Sequence, residues 1–245
     1  MTPVPVDLPA AVAAALAATE RALADGLTRL QIELLVPEIA LEAQELARQF
    51  TPLFASAGPN LRVLFPDAGA AALARRDWGE TVFQVGDLGS RNTPVDAKIA
   101  PEDEAYLVVG PSAVEVNTVE RLCELAEHRP VVLLIPQLED VSIVGIGYAA
   151  RQLRERFLSS LTSSYYFRPL DGAAVLRDYP SLWRVYQQDE DGAYQLLTEQ
   201  GEKPLGEALE RLLAGDQETG ASAENRPRKA GLFAQVGQFL KALSS

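Results

Sequence analysis

AYLVVGPSAVEVNTVERLCELAEHRPVVLLIP, residues 105–136, decides the fold. Its two apolar runs, AYLVVG and VVLLIP, are uninterrupted, as strands covered on both faces must be, and the VERLCELAEH pattern between them has the spacing of an amphipathic helix. Strand, crossover helix and strand make a parallel pair. Working outward, periodicity predicts helix 8–25, strand 29–36 around LQIELLV, helix 40–57, strand 61–65, helix 68–77 and strand 81–85. Then follow strand 105–109, helix 115–128, strand 130–135 and a helix over about 146–161. The alternation implies an open α/β sheet, mainly parallel, with flanking helices.

Beyond residue 163 the pattern changes to short alternating strands joined by tight turns. SYYFRPL, AAVLRDYP and LWRVYQQ are separated by Asp171-Gly172, a strong two-residue hairpin signal, and by Pro180-Ser181, a weaker one. The parallel sheet is therefore continued by an antiparallel meander over 162–200, followed by a helix over 204–214. Residues 1–214 read as one α/β domain, 215–229 as a flexible linker, and 230–245 as an amphipathic helix.

Binding chemistry is concentrated in residues 145–186, which hold six arginines (Arg151, Arg154, Arg156, Arg168, Arg177, Arg184), no lysine and three acids (Glu155, Asp171, Asp178). Closing the first hairpin at Leu170 and Ala173 sets Tyr166 opposite Arg177. Closing the second at Tyr179 and Leu182 sets Arg177 opposite Arg184, a pairing that an odd-length loop would destroy. One sheet face then carries Tyr166, Arg168, Arg177, Arg184 and Tyr186, and the other, Tyr165, Phe167, Leu176, Trp183 and Val185, reads as core. Like charges facing each other on a sheet cost about 0.2–1 kcal/mol, so an anionic partner is expected. A hairpin at Asp191-Gly192 places Glu199 across from Arg184 and makes an internal ladder. A four-residue loop places Leu197 there and leaves the guanidiniums to an external carboxylate or phosphate.

Composition limits the alternatives. The chain has 245 residues, 47% of them hydrophobic, and a formal charge of -12, which argues against a nucleic-acid binder with a broad basic surface. The one cysteine, Cys123, fits a reducing compartment and a buried apolar place on its helix. No apolar run approaches a membrane span and the first residues lack a secretory pattern, so a cytoplasmic location is expected.

GIGYAA, 145–150, has the letters of a dinucleotide fingerprint in the wrong context, since it comes last among the parallel strands and lacks the acid at a strand end. A simpler reading has Gly145 and Gly147 opening a helix whose free amides can hold an anion, with Arg151 and Arg154 on one side and Arg156 on the opposite flank. That start is the expected site if the protein is instead an enzyme or sensor for a phosphorylated metabolite or nucleotide. His128, the single histidine, stands at a predicted helix C-terminus, and no zinc spacing, Walker lysine or nucleophile elbow is present. No catalytic residue, metal or cofactor is therefore expected.

At the far end, Leu232, Phe233, Val236, Phe239, Leu240 and Leu243 recur at helical spacing after Arg226, Arg228 and Lys229. With Lys241, positions 226–245 carry four positive charges and no side-chain acid, the composition of a helix lying in a membrane interface. Docking on the protein's own core or in a partner's groove uses the same pattern.

VGIGYAARQLRERFLSSLTSSYYFRPLDGAAVLRDYPSLWRVY (144–186), with LPAAVAAALAATERALADGLTRLQIELLVPE (8–38), resembles a domain-of-unknown-function family of cyanobacteria and plastids that includes the Low PSII Accumulation factors. The similarity spans about residues 7–200, and its most specific parts are the glycine-opened helix and the YYFRPL strand. The resemblance implies a role in photosystem II accumulation or assembly, beside membrane-inserted subunits, on the cytosolic face of the thylakoid in a cyanobacterial copy. Photosystem II subunits or assembly proteins are the implied partners. The resemblance carries no catalytic residues over, and the fusion of some plant relatives to an adenylate kinase keeps a nucleotide or phosphate ligand open; a soluble scaffold whose arginines are internal salt bridges is the third alternative.

Overall fold

The computed structural model describes residues 4–138 and 148–215, with side chains of the second segment described from residue 151. Nine strands form one sheet: β1 (Arg29–Leu34), β2 (Leu61–Phe65), β3 (Gln84–Asp87), β4 (Ala105–Val109), β5 (Val131–Leu134), β6 (Thr162–Leu170), β7 (Ala173–Asp178), β8 (Trp183–Gln188) and β9 (Tyr194–Gln200). Their spatial order is β3-β2-β4-β5-β1-β6-β7-β8-β9. The six strands from β3 to β6 are parallel, and β7 to β9 continue the sheet as an antiparallel meander.

Helices α1 (Leu8–Ala24), α2 (Ala43–Phe50) and α3 (Ala68–Trp78) cover one face. Their Ala15, Ala18, Phe50 and Ala71 pack on Ile32, Val63, Leu107 and Leu134. The opposite face carries α4 (Val116–Ala126) and α5 (Tyr148–Arg156), whose Val119, Leu122 and Leu153, with Phe157 just after α5, cover Tyr106, Val108, Val131 and Leu133. α6 (Gly206–Ala214) lies on the same face under the meander, Leu209 seated against Tyr166, Val175, Trp183 and Val185. Connections from β1 to β2 and β3 move one way across the sheet over the α1 face. Those from β3 to β4, β5 and β6 return over the other. Direction and face reverse together, as right-handed crossovers require.

Local chemistry fixes the boundaries. Asp7 caps α1 by accepting from the Ala10 amide at 2.8 Å, and Asp67 caps α3 through the amides of Gly69 and Ala70. The helix expected over 40–57 is three pieces instead, 3₁₀ turns at Ile39–Glu42 and Thr51–Phe54 flanking α2, because Pro52 has no amide proton with which to extend the α ladder. β3 starts at Gln84 rather than 81. Phe83 is taken up by an edge contact with Trp78, 5.8 Å between centroids, and pairing with β2 begins one residue later at Arg62 and Gln84. The helix expected over 146–161 is described from Tyr148 and ends at Arg156, followed by a 3₁₀ turn at Leu158–Ser160.

In the meander the first hairpin has the expected register, Leu170 opposite Ala173 and Tyr166 opposite Arg177, with Gly172 in the left-handed region at φ 66°. The second does not. Leu176 lies opposite Arg184 and Val175 opposite Val185, so the connection through the cis Tyr179-Pro180 peptide has an odd number of residues. With a side-chain period of two, that single step turns all of β8 over. Trp183 and Val185 join the face of Tyr166 and Arg177, while Arg184 and Tyr186 go to the α1 face.

Candidate functional site: a cationic aromatic face

Most of β1 is buried toward α1 through Leu30, Ile32 and Leu34, and its alternate residues are polar. On that polar side Glu33 stands next to Tyr166 of β6 in register. A bulge between Gln31 and Ile32 divides the two serines of β6 between the faces. Ser164 meets Thr19 of α1 at 3.0 Å, whereas Ser163 donates to Glu33 at 3.0 Å. Gln31 also donates to Glu33, at 3.2 Å.

Lys203 enters this face from the connection between β9 and α6. Its ammonium donates to Glu33 Oε1 at 2.7 Å and lies 4.2 Å from the Tyr166 ring centroid and 5.4 Å from that of Trp183. The two rings meet edge to face with centroids 5.0 Å apart. Arg177, across the ladder from Tyr166, holds its guanidinium carbon 5.2 Å from the Trp183 centroid. Arg168 follows two residues along β6 on the same face, its positive charge opposing the rise in the Tyr166 pKa. Every member is placed by β-ladder register except Lys203, which is placed by α6 docking through Leu209.

Three cations and two aromatic rings thus share a face on which Glu33 is the carboxylate in contact. The rings supply quadrupole attraction, on the order of 0.5–2 kcal/mol per cation, which substitutes in part for missing anions. Arg177 is the least compensated. Its Nε is shielded from solvent and meets no hydrogen-bond partner among the described residues. Burial draws its pKa below the usual arginine value, and Glu33 opposes that shift. Burial likewise pushes the Tyr166 hydroxyl up to about 12, so it remains a neutral donor.

The expected pairing of Arg177 with Arg184 is overturned by the odd register. Arg184, 2% exposed, forms an ion pair with Asp178 on the α1 face, where Arg21 approaches Asp178 at 4.0 Å. Glu199 does lie across from Arg184 in the ladder, but not through a two-residue turn at Asp191-Gly192: the hairpin closes at Gln188 and Tyr194, and a bulge between Val185 and Tyr186 restores the pairing. The carboxylate that Arg184 meets is nonetheless Asp178. Tyr186, also expected beside Tyr166, is buried in the main core on the same far side. The expected face therefore keeps Tyr166, Arg168 and Arg177, loses Arg184 and Tyr186, and gains Trp183 and Lys203.

Arg151 and Arg154 are exposed on α5, which packs on the neighbouring apolar cluster through Leu153 and Phe157. Arg156, on the other flank, makes a two-pronged ion pair with Glu120 at 2.5 and 2.7 Å. Gly145 and Gly147 lie outside the described residues. So do Arg226, Arg228, Lys229, Leu232, Phe233, Val236, Phe239, Leu240 and Leu243. Cys123 is buried, with its thiol pushed up to about 12 by that burial, and His128 is exposed. Among the described residues no helix is long and apolar enough to cross a membrane.

Sequence reasoning missed Lys203, although one signal marked it. It is the single basic residue between Arg184 and Arg211, in a stretch otherwise acidic.

Fold and site together define a mixed α/β protein whose antiparallel extension carries a cluster of cationic and aromatic side chains. Residues 5–211 match the model of a family described as a domain of unknown function, DUF1995, and the chain belongs to that family. The match runs from before α1 to the last turn of α6, and so includes every residue of the face.

Proposed function

We propose that this protein is a non-enzymatic accumulation or assembly factor for photosystem II, acting at the cytosolic face of the thylakoid membrane. It holds an anionic segment of a partner subunit or assembly protein on the face formed by Tyr166, Arg168, Arg177, Trp183 and Lys203. The observation that carries the binding half is the half-buried Arg177, whose Nε meets no hydrogen-bond partner among the described residues, beside a Trp183 ring shared with Lys203, the cation that Glu33 pairs. Arginine forks suit carboxylates and phosphates, and a desolvated cation gains most from an incoming anion. Support for the photosystem comes from the likeness of 144–186 and 8–38 to the Low PSII Accumulation factors. The basic, apolar composition of 226–245 supports attachment to an anionic membrane surface.

A pull-down from solubilised thylakoids tests the reading. Wild-type protein retains photosystem II subunits, the Arg177→Ala/Lys203→Ala variant loses them, and Arg156→Ala, altered at an unrelated ion pair, retains them. Equal recovery by all three would remove the face from the function.

A further inference from the structure

The charge count and layout of this face select among anions. Arg168 and Arg177 are diagonal neighbours on adjacent strands, since Arg168 lies opposite Val175 and Arg177 opposite Tyr166. Diagonal positions on one face are about 7–8 Å apart, which long side chains close readily. The Trp183 ring carries Arg177 at 5.2 Å and Lys203 at 5.4 Å, so both cations are anchored around one ring. Glu33 neutralises one of the three charges, and it is held in place by Ser163, Gln31 and Lys203. Two positive charges are left over. A single carboxylate would leave one of them uncompensated in a half-buried setting, whereas a phosphomonoester brings nearly two negative charges and three acceptor oxygens. Its oxygens can accept from the Arg168 and Arg177 guanidiniums and from the Lys203 ammonium, side chains that each keep part of their surface in solvent.

We infer that the Arg168–Arg177–Lys203 face is a binding site for a phosphomonoester dianion. This rests on reading the face as an anion site and sharpens it, because it prefers phosphate to carboxylate. The phosphate can come from a phosphorylated side chain of a partner segment or from a small phosphorylated metabolite.

Trp183 reports on the site directly. In a Trp78→Phe background it is the remaining tryptophan, since the chain has two. At pH 8 phenyl phosphate is a dianion, because the second ionisation of a phosphomonoester lies near about 6. Benzenesulfonate and benzoate are monoanions of similar size. Titrating each against Trp183 fluorescence should give saturable binding of phenyl phosphate at least about tenfold tighter than of the other two, the tenfold step of one lost charge-assisted contact. Arg177→Gln and Lys203→Gln should each weaken it by a similar factor with an unchanged far-ultraviolet circular dichroism spectrum, and Arg156→Gln should not.

A phosphoserine peptide and adenosine monophosphate, compared with phenyl phosphate, assign the source: the added affinity goes to the peptide for a phosphorylated partner and to the nucleotide for a metabolite. Benzoate binding as tightly as phenyl phosphate would overturn the phosphate preference while leaving an acidic partner segment in place. Phosphate binding undiminished in both glutamine variants would also overturn it. Silence toward every anion, a glutamate-rich peptide included, would remove the proposed function along with it.

Discussion

Arg177 and Arg184 are seven positions apart on neighbouring strands, and their surroundings differ in kind. Arg184 is enclosed with Asp178, so truncating it removes a buried cation from beside a buried carboxylate. Arg184→Ala is expected to cost about 3–5 kcal/mol, seen as a lower urea midpoint. Arg177→Ala removes a cation that lacks a matched anion and should change stability by no more than about 1 kcal/mol while abolishing partner retention. If the two variants cost the same, the distinction between a structural and a binding arginine fails. Buried acids of a weaker kind set the alkaline limit. The Cys123 thiol rises from 9.0, and the Tyr106 and Tyr166 hydroxyls from 10.0, each to about 12, chiefly through burial. Their charged forms favour the unfolded chain, so the stability they contribute is complete below pH 9 and is lost as pH rises to about 12. Urea midpoints should hold level from pH 7 to 9 and then decline, with Cys123→Ala removing the earliest part of the decline. The arginines were legible from composition. Their burial was not, because burial depends on which face a ladder turns outward.

At the scale of elements, the strands were the clearest part of the sequence. Apolar runs such as YLVV and VVLL have only one use in a sheet covered on both sides, and their bounds fall within a residue or two of expectation. The Asp171-Gly172 turn was equally legible, because φ 66° at its second position is what glycine allows. Gly172→Ala meets no atom within 4 Å, so its cost is the backbone term alone, about 1–2 kcal/mol. A urea midpoint unmoved by that change would show that the turn tolerates another conformation. The Tyr179–Leu182 connection was not legible, since even and odd lengths suit the same letters and only packing chooses. Trp183 is enclosed by Tyr166 and Leu209 on one face, while Tyr186 fills the α1 core on the other. Helix α6 belongs to this selection. Leu209→Ala, at its buried contact, should cost about 2–5 kcal/mol and expose Trp183, read as a red shift of its emission.

At the scale of the molecule, the body and the tail carry opposite charge. The chain is -12 overall, yet positions 226–245 hold four basic residues and no side-chain acid. On anionic liposomes the full chain should float and a version lacking 226–245 should sediment, and salt should weaken the flotation. Equal flotation of both forms would end the membrane proposal. The sequence by itself determined the α/β class, the mainly parallel character of the apolar strands, the antiparallel extension and the concentration of arginines, because each depends on local periodicity and composition. Only the tertiary structure decided which cations share a face, that Arg184 is matched internally by Asp178, and that Lys203 arrives beside Glu33 from 170 positions away. The reason is that a strand's two faces are fixed by a register of single residues, and that register is set where distant surfaces pack.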